Sequence, residues 1–247
     1  MPPIDLAPIK VILLDIEGTT TPVEFVYQTL FPYVRMSLKR FLRENSSEPA
    51  VREAVAELKS HWDSEIRAGK VPPQWIPGTD ESEMASAAEY GFWLMDRDSK
   101  FGPLKVLQGL VWQRGYQAGR LKGQVYADVP AAFNRWSRRG KKIAIYSSGS
   151  ELAQKLLFSA TEYGDLTHHI SAFFDTRVGV KADAESYRRI ATFQGMREDQ
   201  FLFLSDAIAE LNAARFAEMR TALVVRTGSG EGSQEGHPFI HSFDALS

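Results

Sequence analysis

Two carboxylates, Asp15 and Glu17, are separated by one residue directly after the mostly apolar segment 9–14, and a glycine and three threonines follow them. A segment this rich in Val, Ile and Leu predicts a strand that is buried on both faces, as in a parallel sheet. Ligands of such sheets bind beyond the carboxyl ends of the strands, where both carboxylates would lie. Two crowded anions repel unless a cation lies between them, and oxygen ligands suit Mg²⁺. The pattern therefore predicts a Mg²⁺ site, with an acidic turn that caps a following helix as the alternative.

Polar side chains also follow the other predicted core strands. Ser147 and Ser148 come after the second strand, where hydroxyl groups and the free N–H groups of a helix N-terminus could bind phosphate, although serine is also an ordinary N-cap. Lys181 closes the stretch 174–181, which follows the third core segment, and it could hold a phosphoryl oxygen, although most lysines only solvate a surface. Asp206 follows the strand predicted at residues 201–205, with Glu210 one turn later, and could be either a metal ligand or an N-cap.

One reaction requires all of these groups together, namely phosphoryl transfer through a covalent intermediate. A carboxylate attacks phosphorus in that reaction, and Asp15 fits this role. Mg²⁺ neutralises charge between the nucleophile and the phosphate, while Lys181 and the hydroxyl groups hold the remaining oxygens. A second acid must protonate the leaving alcohol and later activate water, and Glu17 fits this role. The combined pattern therefore predicts a metal-dependent phosphoryl-transfer site.

Short apolar segments that alternate with helical patterns must position these groups. Further strands are predicted at residues 142–146, 201–205 and 221–226, and helices at residues 150–159, 184–194 and 209–219. This alternation is typical of a parallel sheet wound with helices. We therefore predict an α/β fold with a doubly wound, mostly parallel sheet. Near the end of the chain, a glycine-rich loop is predicted over 228–236 and an edge strand over 240–246.

Residues 22–125 show helical periodicity and no convincing strand. Helices are predicted at residues 26–43, 49–69, 81–96 and 101–119, with a loop at the proline-rich segment 71–79. A helical block inserted directly after the first strand, with the sheet resuming near Val125, suggests a lid on the core. Lids exclude water and complete a site when they close. An ordinary second domain is the alternative. We therefore predict an α/β catalytic core of residues 1–21 and 126–247 and a helical cap of residues 22–125.

Composition excludes several kinds of partner and chemistry. The 247 residues are enough for one large domain or two modest ones. The 29 basic and 31 acidic side chains nearly balance, so we expect a small-molecule substrate and neither nucleic acid nor membrane as a partner. The absence of cysteine excludes thiol nucleophiles and thiolate metal sites. Without an export segment or an apolar run of about 20 residues, the protein is expected in the cytoplasm.

The motifs at these strand ends resemble those of the haloacid dehalogenase-like superfamily. The four superfamily motifs match residues 15–20, Ser147, Lys181 and Asp206, and the helical insertion lies where the superfamily carries a cap. The resemblance implies a Rossmann-like core with that inserted cap. One position departs from the pattern, because phosphatases of the superfamily usually carry Asp where this chain has Glu17. The extra methylene lengthens the reach of the acid.

A narrower resemblance covers nearly the whole chain. Residues 15–22, 146–150, 153–158 and 174–176, with further likeness in the helical block, look like the enolase-phosphatase E1, or acireductone synthase, family of methionine salvage. The resemblance implies a monomer with one Mg²⁺ that enolises 2,3-diketo-5-methylthiopentyl 1-phosphate and then removes its phosphate to release the acireductone. It further implies that Asp15, Glu17 and Asp206 are metal ligands, that Ser147, Ser148 and Lys181 bind substrate, and that Asp15, Glu17 and Lys181 are catalytic.

Other functions and one unassigned role stay open. A simple Mg²⁺-dependent phosphatase for another small phosphorylated metabolite would use the same fold and metal. A dehalogenase is less favoured because Glu17 and Asp206 provide a metal site that halide displacement does not need. A binding protein on the same scaffold would not require the full set of polar groups. For enolisation, Glu17 is the first candidate for the base and a residue of the helical block is the second.

Overall fold

The chain folds into two compact units in the computed structural model, which describes residues 4–226 and 236–246. The first unit consists of Met1–Val26 and Lys122–Ser247 and contains a sheet with helices. The second unit, Tyr27–Leu121, is built from helices. The assignment of residues 22–125 as a cap stays a prediction.

The sheet of the first unit consists of six strands, and every neighbouring pair is parallel. The strands are β1 (Val11–Leu14), β2 (Lys142–Tyr146), β3 (Ile170–Phe174), β4 (Phe201–Ser205), β5 (Arg220–Val224) and β6 (Phe239–Ile240). Their spatial order is β3-β2-β1-β4-β5-β6. All four residues of β1 are buried, as its apolar sequence predicts. The predicted doubly wound parallel sheet is confirmed, and its strand order reverses beside β1, where α/β proteins bind ligands.

Nine α-helices are present in the described residues. They are α1 (Val23–Phe25), α2 (Phe31–Glu44), α3 (Pro49–Arg67), α4 (Asp80–Met95), α5 (Gly102–Gln117), α6 (Asp128–Arg138), α7 (Glu151–Ser159), α8 (Ala184–Gln194) and α9 (Ile208–Phe216). The predicted helices therefore exist, with ends that differ by a few residues. The helix α6 was not predicted, although its apolar residues recur at helical spacing along one buried face.

The C-terminal part of the chain differs from the prediction of an edge strand. Only Phe239–Ile240 pairs with β5, and Phe243–Ala245 forms a 3-10 turn, so the strand predicted over 240–246 is wrong beyond its first residue. The Ser242 side chain accepts a hydrogen bond from the Asp244 amide at this turn, and such local bonds compete with strand pairing. The predicted glycine-rich loop 228–236 lies outside the described residues except for Gly236.

Trp136 is the centre of the packing between α6 and the rest of the first unit. Its side chain is fully buried, and its ring centroid lies 6.2 Å from that of Phe133 and 5.3 Å from that of Phe243. Its indole N–H donates to the carbonyl oxygen of Leu246 at 3.4 Å. Both the apolar and the polar part of this side chain therefore have partners, as buried tryptophans generally require.

Replacing Trp136 by Ala is expected to lower the free energy of unfolding of the first unit by about 3–5 kcal/mol, because it removes apolar contacts and leaves a cavity. Arg138 lies on the exposed side of the same helix, and Arg138→Ala is the matched control, with an expected change within about 0.5 kcal/mol. Urea unfolding followed by circular dichroism measures both variants. Equal effects of the two substitutions would contradict this account of the core.

The second unit has a core of its own. Apolar residues from all four of its helices pack together, among them Val34, Leu38, Val51, Leu58, Ala87 and Leu104. The proline-rich segment 71–79 is non-helical, as predicted, and the Trp62 indole N–H donates to the Pro73 carbonyl oxygen at 2.8 Å. Within the described residues, none of the helices combines the length and the apolar character that crossing a membrane requires.

Candidate active site

The carboxyl end of β1 carries Asp15, which is 5% exposed and makes a direct contact with a lysine. The Asp15 amide donates to the Leu204 carbonyl oxygen of β4 at 3.0 Å, so the backbone here still follows the neighbouring strand. The Asp15 Oδ1 atom lies 2.5 Å from the Nζ atom of Lys181, and Glu210 Oε2 lies 2.6 Å from the same Nζ atom. Two residues predicted from separate segments, Asp15 and Lys181, therefore meet at the point where the strand order reverses.

Lys181 is a nearly buried cation held between two carboxylates. Burial lowers the pKa of Lys181, but the negative charges of Asp15 and Glu210 and the hydrogen bonds to them outweigh burial and raise it above its usual value. The lysine is therefore charged at neutral pH. An ammonium group has three N–H donors, and two of them point at these carboxylates, which leaves one for a phosphoryl oxygen.

Glu210 completes this ion cluster, although the sequence analysis assigned it no role. Its Oε2 atom also accepts a hydrogen bond from the Ser205 hydroxyl at 2.9 Å. Burial and the charge of Asp15 raise the pKa of Glu210, while Lys181 opposes this shift. The available signal was its position in the first turn of α9, one turn after Asp206, but spacing along one chain does not reveal a lysine from another segment.

Replacing Glu210 by Gln is expected to lower kcat/KM for a phosphorylated substrate by roughly tenfold, because it removes one of the two charges that orient Lys181. The matched control is Glu185→Gln, where an exposed glutamate forms ion pairs with Arg188 and Arg189 of its own helix. Steady-state phosphate release measures both variants. If Glu210→Gln behaved like its control, the ion cluster would have no part in orienting the lysine.

The turn after β1 holds Glu17 and Gly18 in a tight backbone arrangement. Gly18 has a φ of 69°, a conformation that favours glycine. The Ile16 carbonyl oxygen accepts hydrogen bonds from three successive amides, those of Thr19, Thr20 and Thr21, at 3.2, 2.9 and 2.9 Å. The helix α1 begins after this turn with Pro22 at its N-cap and no side-chain cap. The alternative of an acidic turn that caps a helix is therefore wrong.

Asp206 packs directly over this turn. Its amide donates to the Thr19 hydroxyl oxygen at 3.1 Å, and a Cβ atom added to Gly18 would lie 2.1 Å from Asp206 Oδ2. The helix that follows, α9, has Ala207 at its N-cap and no side-chain cap, so the alternative of an N-cap aspartate is wrong. The structure thus brings Asp206 to the same turn as Glu17.

The carboxylates of Asp15 and Asp206 fit a divalent cation. Burial, together with the charges of Asp15 and Glu210, raises the pKa of Asp206 to about 6, so negative charge accumulates here beyond what Lys181 balances. Mg²⁺ is commonly held by one or two carboxylates and several waters. No three His, Cys, Asp or Glu side chains gather into a metal-binding group within residues 4–226 and 236–246. The roles of Asp15, Glu17 and Asp206 as metal ligands stay predictions.

Ser147 and Ser148 lie at the carboxyl end of β2, beside β1. Ser147 is buried, its amide donates to the Phe174 carbonyl oxygen at 3.1 Å, and its hydroxyl oxygen accepts from the Gly149 amide at 3.2 Å. Ser148 is partly exposed in the same turn. Both predicted substrate-binding serines therefore stand at the same edge of the sheet as Asp15, and their contact with substrate stays a prediction.

Two amides at the N-terminus of α7 already have acceptors within the protein, whereas the sequence predicted free N–H groups that could bind phosphate there. The Glu151 amide donates to Asp175 Oδ2 at 3.2 Å, and the Ala153 amide donates to the Ser150 hydroxyl oxygen at 3.3 Å. Burial raises the pKa of Asp175, but hydrogen bonds from Arg177 and from the Glu151 amide outweigh it and lower the pKa overall. A resident carboxylate therefore already occupies this helix end.

Comparison with known proteins agrees with this geometry. A model of the haloacid dehalogenase-like hydrolase family matches residues 9–218. A curated relative named enolase-phosphatase E1, from Synechococcus elongatus, is 45% identical over 96% of this chain and 98% of its own length. This chain belongs to the enolase-phosphatase E1 family. A protein of the same name from Pseudomonas aeruginosa is 43% identical over 95% of this chain and 96% of its own length. Another from Drosophila virilis is 41% identical over 96% of this chain and 94% of its own length.

Solved structures support the same fold. The UTR4 protein of Saccharomyces cerevisiae matches with a TM-score of 0.76 and 30% identity, over 96% of this chain and 99% of that one. A dehalogenase structure matches with a TM-score of 0.52 and 15% identity, which supports the fold alone. As a member of the enolase-phosphatase E1 family, the protein is a phosphatase of the haloacid dehalogenase-like type, and the predicted family membership is confirmed.

Proposed function

We propose that this protein enolises 2,3-diketo-5-methylthiopentyl 1-phosphate and then hydrolyses the phosphate ester to release the acireductone 1,2-dihydroxy-3-keto-5-methylthiopentene in methionine salvage. The observation that carries the proposal is the likeness to enolase-phosphatase E1 relatives, which reaches 45% identity over 96% of this chain. The proposal includes a cytoplasmic monomer with one Mg²⁺, a core of residues 1–21 and 126–247 and a cap of residues 22–125. It includes no nucleic-acid or membrane partner.

The contacts of Asp15 support phosphoryl transfer. A carboxylate oxygen of Asp15 attacks phosphorus, the bond between phosphorus and the enol oxygen breaks, and an aspartyl phosphate forms. Lys181 holds a phosphoryl oxygen with its remaining N–H donor, and Ser147 and Ser148 donate to the other oxygens. The position of Lys181, 2.5 Å from the attacking carboxylate, supports its role beside the transferred group.

Glu17 moves the protons of this reaction. It gives a proton to the leaving enol oxygen, and it then takes a proton from the water that attacks the aspartyl phosphate and releases inorganic phosphate. Asp15, Asp206 and Glu17 would hold Mg²⁺, which would supply charge neutralisation at the phosphate and at the developing enolate. Glu17 lies in the turn directly after Asp15, at the same end of the sheet, which supports this division of roles.

Enolisation precedes phosphate release and needs a base and a stabilised oxygen. The base removes a proton from the carbon next to a carbonyl group, the carbonyl oxygen gains negative charge that Lys181 offsets, and this oxygen then takes a proton from solvent to complete the enol. At the end of the cycle Glu17 returns to solvent the proton that it took from the attacking water. Glu17 is the proposed base, because a carboxylate beside the metal can take a proton in one step and, once protonated, give it in a later step. The same few groups thereby serve both half-reactions.

Measuring both products from the diketo phosphate tests this function. We expect the purified chain with Mg²⁺ to release inorganic phosphate and to form the enol product, seen by its ultraviolet absorbance, in equal amounts. An excess of chelator should stop both and added Mg²⁺ should restore them. Phosphate release without the enol product would identify a simple phosphatase and overturn the proposed two-step function.

A further inference from the structure

Arg226 is a buried cation that joins the turn after β1 to the C-terminal part of the first unit. Its side chain is 6% exposed, and its Nη1 atom lies 2.6 Å from Asp128 Oδ2. Its Nε atom donates to the Thr19 carbonyl oxygen at 2.9 Å. The guanidinium carbon lies 4.3 Å from the ring centroid of Tyr126 and 4.4 Å from that of Phe243. Two aromatic rings, one carboxylate and one backbone carbonyl group therefore hold this group in place.

Thr19 connects Arg226 to the proposed metal ligand Asp206. The backbone carbonyl of Thr19 accepts from Arg226, and the Thr19 hydroxyl oxygen accepts from the Asp206 amide at 3.1 Å. Asp206 also packs against the adjacent Gly18, where its carboxylate leaves no space for a Cβ atom. A short chain of hydrogen bonds thus runs from the guanidinium group to the backbone of the carboxylate at the site.

Asp128, the carboxylate that pairs with Arg226, is itself held by further hydrogen bonds. Asp128 Oδ2 also accepts hydrogen bonds from the Ser242 hydroxyl at 3.0 Å and from the Phe243 amide at 2.6 Å. Burial raises the pKa of Asp128, but these bonds and those to Arg226 outweigh it and lower the pKa overall, so the carboxylate is charged. A buried ion pair is a weak source of stability compared with apolar packing. What it supplies here is a fixed position for Arg226.

We propose that Arg226 is a positioning residue that holds Asp206 in place through Thr19. The catalytic consequence rests on the proposed function, because it requires Asp206 to be a metal ligand. The position of Asp206 itself does not rest on that function. Arg226 touches neither the phosphate-binding groups nor Asp15 in the described contacts, so its action is indirect and separate from substrate binding.

Amide hydrogen exchange of Asp206 in the metal-free chain of 247 residues is the direct test, because this amide is the donor to Thr19. The variant Arg226→Lys keeps a positive charge beside Asp128 but loses the second hydrogen bond of the planar guanidinium group. We expect the Asp206 amide to exchange roughly fivefold faster relative to the Leu202 amide in β4, because the loss of one hydrogen bond has an effect of this size. The Leu202 amide is the internal reference for global opening.

A second variant and a stability control separate positioning from general destabilisation. Thr19→Val removes the hydroxyl acceptor and should accelerate Asp206 exchange in the same way, with no further increase in the double variant, since both changes break one chain of contacts. Leu246→Ala truncates a fully buried side chain in the same unit, and we expect it to leave the ratio of Asp206 to Leu202 exchange unchanged.

Mn²⁺ binding, measured by electron paramagnetic resonance, tests the consequence at the metal site. We expect Arg226→Lys to weaken Mn²⁺ binding by about 10- to 100-fold and Leu246→Ala to leave it unchanged. An unchanged exchange ratio in Arg226→Lys, or independent effects of the two substitutions, would overturn the positioning role of Arg226. A changed exchange ratio with a Mn²⁺ affinity equal to that of the parent protein would overturn the consequence at the metal site. Failure of the product assay alone would overturn the proposed function and leave the exchange result interpretable.

Discussion

Replacing Asp15 by Asn is expected to lower kcat for phosphate release on the order of 10⁴-fold or more, because the amide cannot attack phosphorus and form the covalent intermediate. The folded structure should survive, since Lys181 keeps its 2.6 Å contact with Glu210 and Asp206 loses a neighbouring negative charge. Single-turnover phosphate release measures the loss. Incubating the parent protein with substrate and quenching in acid should in addition trap phosphate on Asp15, which mass spectrometry detects.

The control for Asp15→Asn is the same chemical change at an exposed aspartate. Asp165 caps a short turn through Thr167 and lies outside the site, so Asp165→Asn should retain the parent activity. Thermal unfolding of both variants without metal checks that each one is folded. Phosphate release by Asp15→Asn at the parent rate would exclude Asp15 as the nucleophile.

Replacing Gly18 by Ala is expected to lower kcat by about 10²-fold, because misplacement by about 1 Å at a catalytic site has effects of this size. The new Cβ atom would lie 2.1 Å from Asp206 Oδ2, so the carboxylate must move away from its place over the turn. A backbone φ of 69° adds a conformational cost of about 1 kcal/mol for alanine. Mg²⁺ titration of activity should show weaker activation as well as lower kcat.

Gly140 provides a matched control for Gly18→Ala. It has the same φ of 69°, but a Cβ atom there would meet nothing within 4 Å. Gly140→Ala therefore carries the backbone cost without displacing a side chain, and it should reduce stability by about 1 kcal/mol while leaving kcat unchanged. Similar kcat values for the two variants would show that the contact with Asp206 does not limit catalysis.

The parts of this site that sequence reasoning predicted are those set by the topology of the sheet. A strand buried on both faces must be apolar, and parallel strands place their carboxyl ends at one edge, so Asp15, Ser147 and Asp206 could be placed there from one chain alone. Lys181 could be placed from its position after the third core segment. The narrower likeness in residues 15–22 and 146–150 then indicated the family.

The parts that sequence reasoning missed depend on partners that are distant in the chain. Glu210 acquires its role from Lys181, and Asp175 occupies the N-terminus of α7 through the Glu151 amide. From the sequence, an aspartate that accepts hydrogen bonds at a helix N-terminus cannot be distinguished from any other aspartate that follows a strand. The edge strand over 240–246 was overpredicted because local bonds at Ser242 turn the chain, an effect that apolar alternation does not reveal.

The central place of β1 in the sheet has a consequence for how the chain is made. Val11 pairs with Lys142 on one side and with Phe201 on the other, so β1 leaves the ribosome long before both of its partner strands are synthesised. At typical bacterial or eukaryotic elongation rates, the second partner arrives on the order of ten seconds later. Until β2 emerges, this apolar strand has no pairing partner, and unpaired apolar strands of this kind are prone to aggregation. The helices of the second unit, which have local contacts, can fold in the meantime.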